Sequence, residues 1–117
     1  MAITNVFAVM PVVDFETARG WYERLLGRPA DRNPMGGLAE WQVTEGGAIQ
    51  LLRDPDRAGS AMLTLGVDDI DGQAAAAAER GLAMGPPQDT SGGFRIAAIT
   101  DPAGNVITFA QDLGRDA

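Results

Sequence analysis

The sequence predicts an α+β fold made of two βαβββ modules, because one pattern of elements occurs twice along the chain. The segments "PVVDFETARGWYERLLG" and "LGVDDIDGQAAAAAERG" both run from an apolar strand end through an aspartate into a helical pattern. In each half, glycine-rich turns separate runs of alternating apolar and polar residues, which are typical of strands. The length of 117 residues suits one core. We therefore expect a single domain, residues 1–117, with an internal repeat of 1–54 and 60–112.

An aspartate marks the beginning of each predicted helix. Asp14 and Asp69 fall on each other when the two halves are aligned. Both follow a strand and occupy the N-cap position, where a carboxylate accepts hydrogen bonds from the first helical turn. The first helix is expected from about Glu16 to Leu26, with Trp21 and Tyr22 packing against a sheet. The second contains a run of alanines, whose helix propensity is high and whose small side chains allow close packing.

The strands are predicted from alternation and from the turns between them. The first half reverses at "EGG" and the second at "DPAG". The flanking strands are expected around Trp41 and at 48–52, 94–100 and 106–111. Two segments at equivalent places in the halves, "PADRNPMGG" and "GPPQDTSGG", are predicted to be connections that either border a ligand or simply join elements. The segment "RDPDRAGS" is predicted to be a polar linker between the halves. Residues 114–117 are expected to form a frayed tail.

Composition and charge restrict the class of function. Hydrophobic residues make up 45% of the chain and charged residues 21%, as in an ordinary globular protein. The net charge of -7 repels phosphate backbones, so we expect no nucleic-acid partner. It favours a cationic ligand, although it is also typical of a merely soluble protein. No apolar run approaches the ~20 residues of a membrane span, and the N-terminus lacks signal-peptide features. We expect a cytoplasmic protein with no membrane partner.

Three residue types are absent from the sequence. The chain has no His, no Lys and no Cys. The commonest general base and metal ligand is therefore missing, and so are the groups for Schiff-base and thiol chemistry. Acid–base chemistry would depend on carboxylates, hydroxyls or the single tyrosine.

The segments 10–27, 65–81 and 101–111 resemble the vicinal oxygen chelate superfamily, which includes glyoxalase I, extradiol dioxygenases, and fosfomycin- and bleomycin-resistance proteins. The Asp-Pro-x-Gly-Asn turn before an apolar strand is the most specific part of the resemblance. The resemblance implies two curled mixed sheets, each forming a cup. For the bleomycin-resistance members it also implies a homodimer with two interface pockets and an N-terminal strand that crosses to the partner, with Pro11 at the crossing.

Metal-dependent members of this superfamily hold the ion with four side chains, usually His or Glu. The resemblance places these positions at Phe7, Gln50, Met62 and Thr108. Divalent transition metals prefer imidazole, carboxylate or thiolate, whereas these residues offer only an amide, a thioether and a hydroxyl. We therefore expect no metal and no cofactor. The bleomycin-resistance proteins, which sequester an antibiotic rather than transform it, are the corresponding metal-free members.

A metal-free cup is expected to bind a small aromatic or amphipathic molecule through apolar walls and a few polar groups. The expected lining residues are Phe7, Trp41 and Met62 for stacking and packing, and Gln50, Thr64, Arg95 and Thr108 for orienting hydrogen bonds. Other interpretations stay open for some of them. Phe7 and Met62 can fill the cup as core, Thr108 can bond within its strand, and Arg95 can form a surface salt bridge.

The preferred hypothesis is antibiotic sequestration of the bleomycin-resistance type, and two alternatives stay open. One is a superfamily lyase, isomerase or dioxygenase with non-standard metal ligands or a carboxylate base. Glu40 is then the candidate catalytic residue, although it can also be a solvated charge on a strand face. The other alternative is a structural module whose cup is filled by its own side chains.

Overall fold

The computed structural model describes residues 2–114, which form two helices and eight strands in the order βαβββ–βαβββ. The first module contains β1 (Val6–Val12), α1 (Phe15–Leu26), β2 (Arg32–Met35), β3 (Leu38–Thr44) and β4 (Gly47–Arg53). The second contains β5 (Met62–Gly66), α2 (Ile70–Glu79), β6 (Gln88–Asp89), β7 (Phe94–Thr100) and β8 (Val106–Asp112). The α+β prediction of two βαβββ modules is confirmed.

Each module has its own four-stranded mixed sheet. The strand order is β1-β4-β3-β2 in the first sheet and β5-β8-β7-β6 in the second. The first and last strands of each module pair in parallel, and the other pairs are antiparallel. A parallel pair needs a long crossover, which the helix and the intervening strands provide. As a result, β1 and β5 are edge strands, and each lies beside the last strand of its own module.

Two short strands lie in segments that the sequence predicted as connections. β2 falls within "PADRNPMGG" and β6 within "GPPQDTSGG". Both are edge strands whose residues are all exposed, so they lack the alternation of apolar residues that marks longer strands. Of the expected tail, Gly114 is exposed and residues 115–117 lie outside the described residues.

The two predicted helix caps are confirmed. The backbone N–H of Thr17 donates to Asp14 Oδ1 at 3.2 Å, and that of Gly72 donates to Asp69 Oδ1 at 3.1 Å. At its other end, α1 stops at Gly27, whose φ of 78° favours glycine. Neither of these two helices is long and apolar enough to cross a membrane.

The hydrophobic core lies on the side of each sheet that its helix covers. Trp41 and Leu51 are fully buried beneath α1, and Tyr22 packs against Trp41 with ring centroids 6.0 Å apart. In the second module, Ile107 and Phe109 are buried on the equivalent side. These residues belong to one cluster that extends through both modules. Among the described residues, neither helix packs on the opposite side of its sheet.

The Asp-Pro-Ala-Gly-Asn turn joins the two modules through buried hydrogen bonds. Asn105 Nδ2 donates to the carbonyl of Pro11 at 2.8 Å, and its Oδ1 accepts from the backbone N–H groups of Gly59 and Ala61, each at 3.0 Å. Asp101 accepts three backbone N–H groups of its own turn through Oδ1 and the Tyr22 hydroxyl through Oδ2 at 2.7 Å. Buried polar groups require such partners, so this motif has a structural role.

Candidate functional site

We call the side of each sheet that faces away from its helix the open face. In the first sheet, the register places Val9 beside Gln50, and Gln50 beside Glu40. Because successive side chains point to opposite sides, these residues share the open face with Phe7. Phe7 and Val9 are each 44% exposed, which is unusual for large apolar side chains within a strand.

The open face of the second sheet carries Met62, Thr64 and Thr108. Thr64 lies directly beside Thr108, and Ala98 lies on the other side of Thr108. Met62 is 86% exposed. The structure therefore groups Phe7 with Gln50 on one open face, and the two threonines with Met62 on the other. The second open face has no charged residue in this row.

A polar row crosses the first open face. Arg32, Glu40, Gln50 and Val9 lie side by side on β2, β3, β4 and β1. Arg32 donates to Glu40 Oε1 at 2.7 Å, and Gln50 Nε2 donates to Glu40 Oε2 at 2.8 Å. Glu40 is only 5% exposed, so the row holds a nearly buried carboxylate. The hydrogen bond from Arg32, then that from Gln50, lowers the pKa of Glu40, which keeps it ionised.

A cavity of ≈580 Å³ adjoins this row. Its floor includes the open-face residues Val9, Pro11 and Leu52, and its rim is formed by the linker. The rim contributes two carboxylates, Asp54 and Asp56, together with the polar or small residues Arg57, Ser60 and Ala61. The volume lies within the range of small-molecule sites. An apolar floor beside polar groups suits an amphipathic ligand.

A second cavity of ≈470 Å³ is lined by residues of both modules, which include Ala8 and Ile49 of the first and Leu63 and Phe109 of the second. Leu26, Ile49, Leu63 and Phe109 provide apolar walls. Small residues at 8, 47, 48 and 66 border it, and their lack of bulk explains why the core leaves space there. None of the residues predicted to hold a ligand lines this cavity except Thr64.

The prediction that Trp41 lines the cup is wrong. Trp41 is fully buried against α1, and its Nε1 donates to the carbonyl of Arg28 at 3.0 Å. The alternation of β3 places one of two neighbours in the cup, and the structure assigns the open face to Glu40. Glu40 is in turn not a solvated charge, because Arg32 and Gln50 satisfy it.

Arg95 lies on the helix side of the second sheet, away from Thr108. Its guanidinium donates to Asp71 of α2 at 3.1 Å and to Asp89 of β6 at 2.9 Å. This geometry matches the salt-bridge interpretation and contradicts its placement in the cup.

The residues at the four positions of a superfamily metal site do not fit a divalent metal ion. Phe7 and Gln50 lie on one open face, and Met62 and Thr108 on the other, with no carboxylate or imidazole among them. Within residues 2–114, no group of three acidic side chains could hold a metal. Glu40, the one carboxylate in the polar row, is occupied by two donors.

Sequence reasoning missed Arg32, Val9 and the acidic linker rim as parts of the site. Arg32 stood in a segment predicted as a connection, so nothing linked it to Glu40. The pairing of β2 with β3, which sets Arg32 beside Glu40, would have revealed this contact, but it can be recognised only when β2 is known to be a strand.

These features define a protein of two βαβββ modules with uncovered sheet faces. The model of the family described as "Glyoxalase-like domain" matches residues 7–110. The chain therefore belongs to the glyoxalase-like domain family, within the vicinal oxygen chelate superfamily.

Solved structures share the fold over nearly the whole chain. A glyoxalase/bleomycin resistance protein from Catenulispora acidiphila is 36% identical, with a TM-score of 0.87, over 92% of this chain and 97% of the other. An antibiotic-binding protein, TnmS3, from a Streptomyces species is 30% identical, with a TM-score of 0.76, over 96% and 98%. A bleomycin-binding protein complexed with bleomycin is 20% identical, with a TM-score of 0.73, over 92% and 97%, which shows the fold alone. Curated proteins give no match.

Proposed function

We propose that this protein binds a small aromatic or amphipathic molecule, of the antibiotic type, without a metal ion. The observation that carries the proposal is the first open face. Phe7 and Val9 are exposed there beside the Glu40–Gln50 pair and a cavity of ≈580 Å³. Exposed apolar side chains next to a few fixed polar groups are typical of ligand sites.

The similarity to antibiotic-binding proteins supports this proposal. TnmS3, at 30% identity, is described as antibiotic binding, and the structure with bleomycin shows that a protein of this fold holds such a ligand. In this chain, Phe7 and Met62 would stack on the ligand, and Gln50, Thr64 and Thr108 would orient it through hydrogen bonds.

We also propose that residues 1–117 form a single domain and that two copies of it associate as a homodimer. Phe7 and Val9 are exposed on the first open face and Met62 on the second, so contact with a second copy would bury them and enclose the ligand. The cytoplasmic location expected from the sequence stays a prediction.

An enzymatic role for Glu40 is disfavoured by its environment. A general base works best when its pKa lies near the working pH. The pKa of Glu40 is instead lowered, mainly by the hydrogen bond from Arg32, so this carboxylate is a weak proton acceptor. Both of its oxygens are also engaged by neighbours.

The test is a thermal-shift titration of metal-stripped protein. One arm adds bulky aromatic antibiotics, including bleomycin-type compounds, and the other adds divalent metals. A ligand at ~100 times its Kd stabilises the folded state by about 2.7 kcal/mol. We expect a saturable shift with an antibiotic and none with a metal.

The matched variants are Phe7→Ala and Ile3→Ala. Both truncate an exposed apolar side chain, but Ile3 precedes β1 and is 87% exposed. Only Phe7→Ala should weaken antibiotic binding. A specific, saturable shift with one metal, or equal effects of the two variants, would contradict the proposal.

A further inference from the structure

In the polar row, the guanidinium group of Arg32 pairs with the nearly buried carboxylate of Glu40. Glu40 has a side chain that is 7% exposed, and Arg32 reaches it from β2 with one nitrogen, at 2.7 Å from Oε1. Leaving an ionised carboxylate at such a position without a partner is costly. Arg32 therefore neutralises Glu40 in the free protein.

Arg32 and Gln50 hold Glu40 with different firmness. Gln50 lies on β4, between two paired strands. Arg32 lies on the four-residue edge strand β2, where the register shifts between Arg32 and Met35, and its side chain is 66% exposed. An exposed side chain on an irregular edge loses little packing when it moves. Arg32 is thus the replaceable partner, whereas Gln50 is the fixed one.

The surroundings of the row favour a positive ligand. The adjoining cavity carries Asp54 and Asp56 against Arg57, and Arg57 is 3.5 Å from Asp54. The whole chain has a net charge of -7, so its field attracts cations. The equivalent row of the second sheet, Thr64–Thr108–Ala98, is uncharged. A positively charged group of a ligand would therefore bind at the first open face.

We propose that the ligand is a flat aromatic molecule that carries a primary amine or guanidinium group, and that this cation displaces Arg32 from Glu40. Gln50 keeps its hydrogen bond to the other carboxylate oxygen, and Phe7 and Val9 support the aromatic part. This inference rests on the proposed binding function. It makes Arg32 an internal competitor of the ligand and Glu40 the specificity-determining residue.

Competition between Arg32 and the ligand for Glu40 can be distinguished from direct ligand binding by Arg32, because the two predict opposite effects of removing Arg32 on affinity. If Arg32 must leave before the cation binds, only the fraction of molecules with Arg32 displaced is competent, and the apparent Kd is raised by that fraction. Arg32→Ala should then increase affinity for a cationic ligand. The same variant should lower the stability of the unliganded protein, because Glu40 loses a partner.

The experiment uses three fluorescent probes with one aromatic system and different charge: 9-(aminomethyl)anthracene, 9-(hydroxymethyl)anthracene and anthracene-9-carboxylate. Fluorescence titration gives the Kd of each for the wild type, Arg32→Ala, Glu40→Gln and Arg19→Ala. Arg19 pairs with Glu16 on α1, so its removal changes the net charge equally without touching the open face. Circular dichroism and thermal unfolding establish that each variant is folded.

We expect the amine to bind the wild type more tightly than the alcohol. Arg32→Ala should raise affinity for the amine ~10-fold, which corresponds to about 1.4 kcal/mol, and leave the alcohol unchanged. Arg19→Ala should change neither by this amount. Glu40→Gln should remove the preference for the amine, and if that variant does not fold, the Arg32→Ala arm decides alone.

Equal binding of amine and alcohol in every variant would overturn the inference while supporting the binding function. Preference for the carboxylate, lost in Arg32→Ala, would also overturn it, because Arg32 would then be an anion anchor. If no probe binds and the antibiotic titration is silent, the proposed function itself fails, and this inference fails with it.

Discussion

Tyr22 is the side chain whose ionisation the fold opposes most strongly. Burial raises the pKa of Tyr22, and its hydrogen bond to the Asp101 carboxylate raises it further. In the unfolded chain the pKa of tyrosine is about 10. Above that pH the unfolded state releases a proton that the folded state retains. The stabilising contribution is therefore complete below about pH 10 and is lost as the pH rises above it.

Replacing Tyr22 by Phe should remove this alkaline destabilisation. The sequence has one Tyr and neither Lys nor Cys, so no other side chain titrates in that range. Urea unfolding of the wild type should show a free energy of unfolding that falls above about pH 10, whereas the variant should show no slope there. At pH 7 the variant should be less stable by about 1–3 kcal/mol, because Asp101 loses a donor.

A matched control for Tyr22→Phe is Thr64→Val, which also removes a hydroxyl but from an exposed site on the open face. It should leave the alkaline slope of the wild type unchanged. Parallel slopes for the wild type and Tyr22→Phe would show that this network does not govern the pH dependence.

Single site residues differ in how well the sequence predicts their positions. The resemblance to the superfamily, together with the repeat, selected the positions of Phe7, Gln50, Met62 and Thr108. The strand register places these four residues on the open faces, and their contact with a ligand stays a prediction. The interpretation of Trp41 failed because alternation identifies two faces without saying which one the helix covers.

The elements differ in how strongly the sequence specifies them. Both helices were predicted because an N-cap aspartate and helical periodicity are local signals. β2 and β6 were not, because a short exposed edge strand is defined only by pairing with its neighbour. The partner of Glu40 was missed for the same reason, since it lies on β2.

Removal of the N-cap should weaken α2. This helix buries two of its side chains, Ile70 and Ala77, so little packing compensates for a lost cap. Asp69→Ala should lower the free energy of unfolding by about 1 kcal/mol, because the N–H of Gly72 loses its acceptor. Chemical denaturation measures this, with Asp68→Ala, an exposed neighbouring aspartate, as the control. Equal losses in the two variants would rule out a capping effect.

In the whole molecule, buried hydrogen bonds join the two modules, and their positions determine which surfaces stay accessible for binding. Asn105 ties the end of β1 to the linker, and Tyr22 ties α1 to the turn of the second module. These hydrogen bonds involve no residue of the polar row and neither of the two threonines of the second open face. The two open faces are also unequal, since the polar row of the first holds a nearly buried carboxylate paired with Arg32, whereas the equivalent row of the second, Thr64–Thr108–Ala98, is uncharged. The charge that a ligand would meet is therefore concentrated on the first open face.

The proposed homodimer can be tested at this scale. Met62 is 86% exposed on the second open face, and contact with another copy would bury it. Sedimentation velocity over a wide range of protein concentrations should show a dimer for the wild type and a shift to monomer for Met62→Glu, because a buried carboxylate without a partner opposes association. Val13→Glu adds the same charge at a position that is 54% exposed and lies beyond the end of β1. It should remain dimeric. A wild-type protein that sediments as a monomer at every concentration would show that ligand binding, if it occurs, uses the open face of one chain.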